Sequence, residues 1–102
     1  YKLAEFLASK KVVAVGLDTP FVDAVADPNN PMPVPEGTPS NMVFPVHHYF
    51  LTQAGIHTLE NFNLKKISDD AVELSCVMIL PLMVKGSSAS SIRPVAIGPS
   101  IL

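Results

Sequence analysis

All three histidines of the chain fall within one short stretch, FPVHHYFLTQAGIHTLE, from Phe44 to Glu60, together with a carboxylate. Imidazole nitrogens and carboxylate oxygens are good ligands for zinc or manganese. Whether these residues act together depends on the elements that carry them. Pro45 suits the first position of a helix, where its missing N–H costs nothing. HHYFLTQA then reads as about two helical turns, covering roughly 12 Å. Gly55 suits the left-handed position that ends a helix. IHTLE reads as a short strand of roughly 16 Å, with Ile56, Thr58 and Glu60 on one side and His57 and Leu59 on the other. If the chain reverses at Gly55, His48 and Glu60 meet at one end of the unit, although twelve positions separate them. The competing reading of the same residues is a histidine at a helix start and a solvated glutamate.

The surrounding chain supplies an α/β rhythm. YKLAEFLASKK has Leu3, Phe6 and Leu7 at helical spacing, with no capping residue before it, and reads as the last turns of a helix begun upstream. VVAVG, residues 12–16, is a β-branched run suited to a strand covered on both faces. Asp18 follows it at the strand end, where α/β folds place ligand-binding groups; an Asx turn before Pro20 is the local alternative. From Ala24 to Pro45 the chain reads as one long loop, since seven of the ten prolines fall between Pro20 and Pro45. A loop of that length is expected to be functional or to wrap a neighbour, as a lid or an arm across a subunit boundary. NFNLKKISDD is a polar link anchored by Leu64 and Ile67. In AVELSCVMILPLMV the strand begins half exposed and is expected to be fully buried from Val77 to Leu80, with Cys76 a small buried hydrophobe. This strand and the 12–16 strand are expected in one sheet, with the helix 2–9 packed on it. Pro81 predicts a bulge or sheet edge. GSSASS is a flexible turn, and IRPVAIG returns as a last strand. Arg93, the only arginine, stands where it could clamp a carboxylate or serve as a surface residue.

Composition narrows the function. The chain has 102 residues, is 48% hydrophobic and has a mean hydropathy of +0.34, which is apolar for its length. Its apolar surface therefore calls for a partner or a larger domain. Net charge is −2 with no run of Lys or Arg, which argues against nucleic acid. No apolar run approaches the roughly 18 residues of a membrane span. One cysteine excludes both an internal disulfide and a four-cysteine zinc site.

Taken in order, VVAVGLDTPFVD, PVHHYFLTQAGIHTLEN and LPLMVKGSSASSIRPVAI resemble the C-terminal half of the metal-dependent cyclase family, which includes bacterial kynurenine formamidases and isatin hydrolases. The family pattern there is G-x-D-T-P-S-x-D after a strand, a histidine with E-N twelve residues on, and L-P-L-x-x-x-G-A-D-G-S-P-x-R before a last strand. The resemblance implies a swivelling β/β/α-type fold, homo-oligomers, and a Zn or Mn site that hydrolyses amide bonds of small aromatic or cyclic molecules. It implies that His48 and Glu60 are metal ligands, His48 being preferred to His47 for its twelve-residue spacing. Asp18, His47 and Arg93 are implied as supporting residues. Phe21 departs from the family serine, Ser91 from a proline and Ala89 from a glycine, and the 24–45 loop is longer than usual. The family's H-x-G-T-H-x-D-x-P-x-H segment has no counterpart here. The chain is thus expected to be the C-terminal part of a single cyclase-like domain, holding two ligands of a site that needs about four. The rest would come from the N-terminal half of the same protein or a second chain. A non-catalytic relative that keeps the fold as a binding or structural subunit is the alternative.

Overall fold

A computed structural model of the chain describes residues 1–24, 29, 34 and 36–98. Much of the expected 24–45 loop therefore lies outside the described residues. The chain forms two compact units, Tyr1–Leu64 and Lys65–Leu102, each with its own small sheet. Mixed helices and short strands make it α/β.

The first unit begins with helix α1, Lys2–Ser9. It ends in a paired closure in which Lys11 N–H donates to the Ala8 carbonyl and Val12 N–H to that of Leu7. This is the Schellman arrangement, and Lys11 holds its left-handed position at φ 58° where glycine is usual. The buried face of α1 differs from the expected stripe. Ala4 is buried, with Leu7 and Ala8 partly covered beside the core, whereas Leu3 and Phe6 are exposed. Phe6 instead lies under the Lys10 ammonium, 5.3 Å from its ring centre.

Strand β1, Ala14–Gly16, is shorter than the 12–16 run. Its partner is not the apolar strand of the second unit but β2, His57–Leu59, which runs parallel to it. Ala14 is opposite His57, Val15 opposite Thr58 and Gly16 opposite Leu59. The pairing continues beyond both strands: Leu17 N–H donates to Leu59 O, Asn61 N–H to Thr19 O and Phe62 N–H to Leu17 O. The chain segments leaving the carboxyl ends of β1 and β2 are thereby held side by side.

Parallel strands need a crossover, and helical turns lie within it. Helix α2, Pro45–His48, starts with Pro45 in the first helical position, as the sequence predicts. It runs into a π-helical turn, Tyr49–Ala54, closed by Gly55 at φ 66°. The Gly55 and Ile56 N–H groups both donate to the Phe50 carbonyl. Within the widened turn the Thr52 hydroxyl donates to the His48 carbonyl at 2.6 Å. Phe50 and Ile56, on either side of Gly55, are buried to 1% exposure and with Ala4 form the core; Val15, Val22, Val46 and Tyr49 pack around them. Burying a side chain of that size stabilises by about 1.5–3 kcal/mol.

The second unit opens with a short helix, α3, Lys65–Asp69, where a polar link is expected from the sequence. Lys65–Asp69 and Lys66–Asp70 pair across one turn at 2.6 Å, on the surface. Such pairs contribute a few tenths of a kcal/mol each. Strand β3, Cys76–Met78, pairs antiparallel with β4, Val95–Ile97, and Pro81 bridges to Ile92 beyond it. The expected single sheet joining the 12–16 and 72–80 strands is therefore corrected to two separate ones. The expected burial is corrected too. Cys76 is exposed, Val77 is 48% and Leu80 77% exposed, and among the described residues none of this unit is buried. A two-stranded ribbon has two open edges, and its apolar side chains have little within the unit to pack against.

Candidate functional site

The site assembles where the two parallel strands end. Glu60 is the residue just after β2. Asp23 follows β1 by seven positions, past a turn in which the Thr19 hydroxyl donates to the Phe21 carbonyl at 2.8 Å. Helix α2 presents its first turn to both.

That first turn explains Asp23. A helix start leaves backbone N–H groups without partners, and α2 has Phe44 at its cap, which offers no side-chain acceptor. The Asp23 carboxylate fills the gap. Its Oδ1 accepts from Val46 N–H at 2.7 Å, and its Oδ2 accepts from His47 N–H at 3.1 Å. The same Oδ2 lies 2.6 Å from His47 Nδ1. On the other side of the ring, His47 Nε2 lies 2.6 Å from Glu60 Oε1. The result is a carboxylate–imidazole–carboxylate row. It grades from a nearly enclosed Asp23 side chain, 3% exposed, through His47 at 22%, to Glu60 at 29%.

A carboxyl oxygen at each ring nitrogen suits the imidazolium form, in which both nitrogens are donors. Burial pulls the His47 pKa down, but hydrogen bonds and charge from Asp23 and Glu60 outweigh it and raise the pKa above its ordinary value. The short distances match charge-assisted hydrogen bonds.

Two half-exposed aromatic rings border the row. Phe21 and Phe44 stack at 5.5 Å between ring centres, and both stand edge-to-face with His47, at 6.5 and 5.7 Å.

The residues expected from sequence are distributed differently. Glu60 is where the reversal at Gly55 places it, but its neighbour is His47 and not His48. Successive helical side chains point about 100° apart, and His48 is exposed, to one side of the row. His57 is exposed on β2, and Asp18 is exposed in the segment after β1. Arg93 is an exposed residue of the second unit. Local residue type and spacing give Asp23 no role, although the G-x-D-T-P-S-x-D pattern closes on it. A second signal is indirect: a helix beginning at Phe44-Pro45 without Ser, Thr, Asp or Asn needs an acceptor from elsewhere.

Among the described residues no group of three or more His, Cys, Asp or Glu is arranged to hold a metal ion. The row can still be tested as part of one. Nε2 of His47 and the Glu60 carboxylate are donors of the right kind and converge on one point. Asp23 on Nδ1 is the outer partner that metal-binding histidines generally have. Tetrahedral ligands with bonds of about 2.0–2.1 Å sit roughly 3.4 Å apart. At 2.6 Å the pair is spaced for a shared proton, and an opening of under roughly 1 Å brings it to ligand spacing. The donors fit, as two of a larger set.

The chain is 32% identical over 89 residues to a kynurenine formamidase of Polaromonas naphthalenivorans (strain CJ2). The match takes in 87% of this chain and 32% of that protein, so the chain spans about a third of the length of the curated relative it matches. No family model and no solved structure matches the chain. The similarity supports a relation to formamidases and nothing more specific.

Proposed function

We propose that this chain forms part of a metal-dependent hydrolase that cleaves an N-acyl or cyclic amide bond of a small molecule, with Zn or Mn as the metal. The observation that carries the reading is the Asp23–His47–Glu60 row at the carboxyl ends of two parallel strands. Similarity to a formamidase supports the reaction class. In this reading His47 takes the ligand role that spacing alone assigns to His48, and Glu60 keeps its own. Asp23 holds the His47 ring by Nδ1, fixing which nitrogen faces Glu60, and ties that ring to the helix backbone. A divalent ion bound by Nε2 and Glu60 supplies Lewis acidity toward an amide carbonyl and a nucleophile from water at neutral pH. The remaining ligands come from another part of the same protein or from a second chain, within a homo-oligomer. That same polypeptide would cover the exposed apolar residues of β3 and β4.

The test is metal content and hydrolysis of formanilide in the full-length protein carrying this chain. His47→Ala and Glu60→Ala should each lose most of the bound metal and activity, while His48→Ala keeps them. Full metal occupancy in both of the first two variants would overturn the reading. One observation favours a second reading: the row closes on itself through hydrogen bonds. In a non-catalytic relative it would be a clasp joining α2 to the strand ends. Purified wild-type protein free of Zn and Mn, and inactive when they are supplied, would decide for the clasp.

A further inference from the structure

The residue after Glu60 holds an uncommon backbone conformation. Asn61 has φ 56°, in the left-handed region. The pairing of β1 with β2 gives that conformation a purpose. Leu17 N–H donates to Leu59 O at 3.0 Å, which continues the parallel ladder just past the strands. In an unbroken ladder the Leu17 carbonyl would next accept from residue 61. It accepts instead from Phe62 N–H at 2.9 Å, and Asn61 N–H turns to Thr19 O at 3.0 Å. An extra residue is thus inserted after β2, a bulge with Asn61 in the left-handed position. Bulges bend a strand and re-aim the side chain beside them. Here that side chain is Glu60, whose Oε1 lies 2.6 Å from His47 Nε2. The peptide groups on either side of Glu60, through Leu59 O and Asn61 N–H, are both bonded to the segment leaving β1. Asp23 stands on that same segment, so the bulge ties both carboxylates of the row to one frame. Asparagine is among the side chains that enter the left-handed region most readily, and β-branched residues are outliers there.

We propose that Asn61 is a positioning residue: its left-handed backbone forms the bulge that aims Glu60 at His47 Nε2. The proposal rests on the hydrolase reading for the metal that this pair would share. Asn61 touches no reacting atom in this role and acts only through the direction it gives to Glu60. A residue that only ended β2 could be exchanged without moving the Glu60 carboxylate.

Two measurements on the full-length protein test this. The first is the Kd for Zn. Asn61→Val should weaken binding about 10- to 100-fold, the loss typical when the support of a metal ligand is removed. Asn61→Ala should weaken it less, and Asn61→Gly, which enters the left-handed region freely, should keep it. Lys11→Val puts the same kind of strain at another left-handed position, φ 58° after α1, and should leave Zn affinity unchanged. The second measurement is the separation of Glu60 Oε1 from His47 Nε2 in crystal structures of the metal-free proteins, which needs neither metal nor turnover. It should stay at hydrogen-bond distance in wild type and Asn61→Gly, and open in Asn61→Val and Asn61→Ala. If wild type binds neither Zn nor Mn but the separation opens in this pattern, the hydrolase reading fails and the positioning role stands. If folded Asn61→Val keeps the wild-type separation, if Asn61→Gly loses as much as Asn61→Val, or if Lys11→Val weakens Zn binding equally, the role is overturned. Where Asn61→Val does not fold, Asn61→Ala carries the test.

Discussion

The two units handle apolar residues in opposite ways. In Tyr1–Leu64 a few small and large side chains, Ala4, Phe50 and Ile56, are closed off completely, and the polar row stands over the ends of the strands they support. In Lys65–Leu102 a longer apolar run is drawn into a ribbon whose side chains remain open, with Met78 44% and Ile97 57% exposed. Apolar content by itself therefore does not decide burial. What decides is whether a helix crosses back over the strand. The first unit has α1 and the π-helical turn to do so, while the ribbon of the second has two strands paired only with each other.

The sharpest way to break this contrast is a pair of truncations. Phe50→Ala should destabilise the chain by about 3–5 kcal/mol, whereas Leu80→Ala should change stability by no more than about 0.5 kcal/mol. Chemical denaturation of this chain measures both. A loss at Leu80 equal to that at Phe50 would mean that the two regions are packed alike. The same truncation made in the full-length protein sharpens the point, because a large effect appearing only there locates a covering surface.

A smaller contrast lies within the first unit, between two aspartates. Asp23→Ala removes the acceptor for two helix N–H groups and one ring nitrogen, and should cost about 2–4 kcal/mol. Asp18 is exposed, and Asp18→Ala should stay within about 0.5 kcal/mol. Thermal melts of the two variants, run side by side, check the ranking. Equal losses would show that the carboxylate is not what holds the start of α2.

The smallest expected effect is on pH dependence. His47 has its folded-state pKa raised by its two carboxylates, while the unfolded value is near 6.5. The stability from this shift is fully present below pH 6.5 and is lost as pH rises through the raised folded value. In metal-free protein, stability should therefore decline from pH 6.5 upward, and His47→Gln should remove that part of the decline. A profile unaltered by the substitution would show that the imidazolium contributes nothing.

How far these features can be read from the residues depends on how local their causes are. Pro45 starting a helix, Gly55 closing it and HTL following as a strand are decided within a few positions, and they agree with the structure. The meeting of a histidine with Glu60 also follows from that reversal. Which histidine it is depends on rotation about a helix whose first turn is anchored by Asp23, far upstream, so spacing alone favours the wrong neighbour. Pairing of β1 with β2 is a tertiary choice between apolar runs of similar character, and the 12–16 run fits either partner. KKISDD carries its helix in two lysine–aspartate pairs one turn apart, a weak signal in a polar segment. Apolarity predicts burial of Val77–Leu80 but does not say what lies against the strand, and Val77 and Leu80 are exposed.

The row also joins contacts of two ranges. His47 and Glu60 are 13 residues apart, within a single helix–turn–strand segment, while Asp23 is 24 residues from His47. The cost of closing a loop grows only with the logarithm of its length, so the longer contact costs roughly 0.5 kcal/mol more to close than the shorter. One imidazole thus ties the helix–turn–strand segment to a stretch well upstream of it, and the sequence between Asp23 and His47 can vary in length at little cost to that tie.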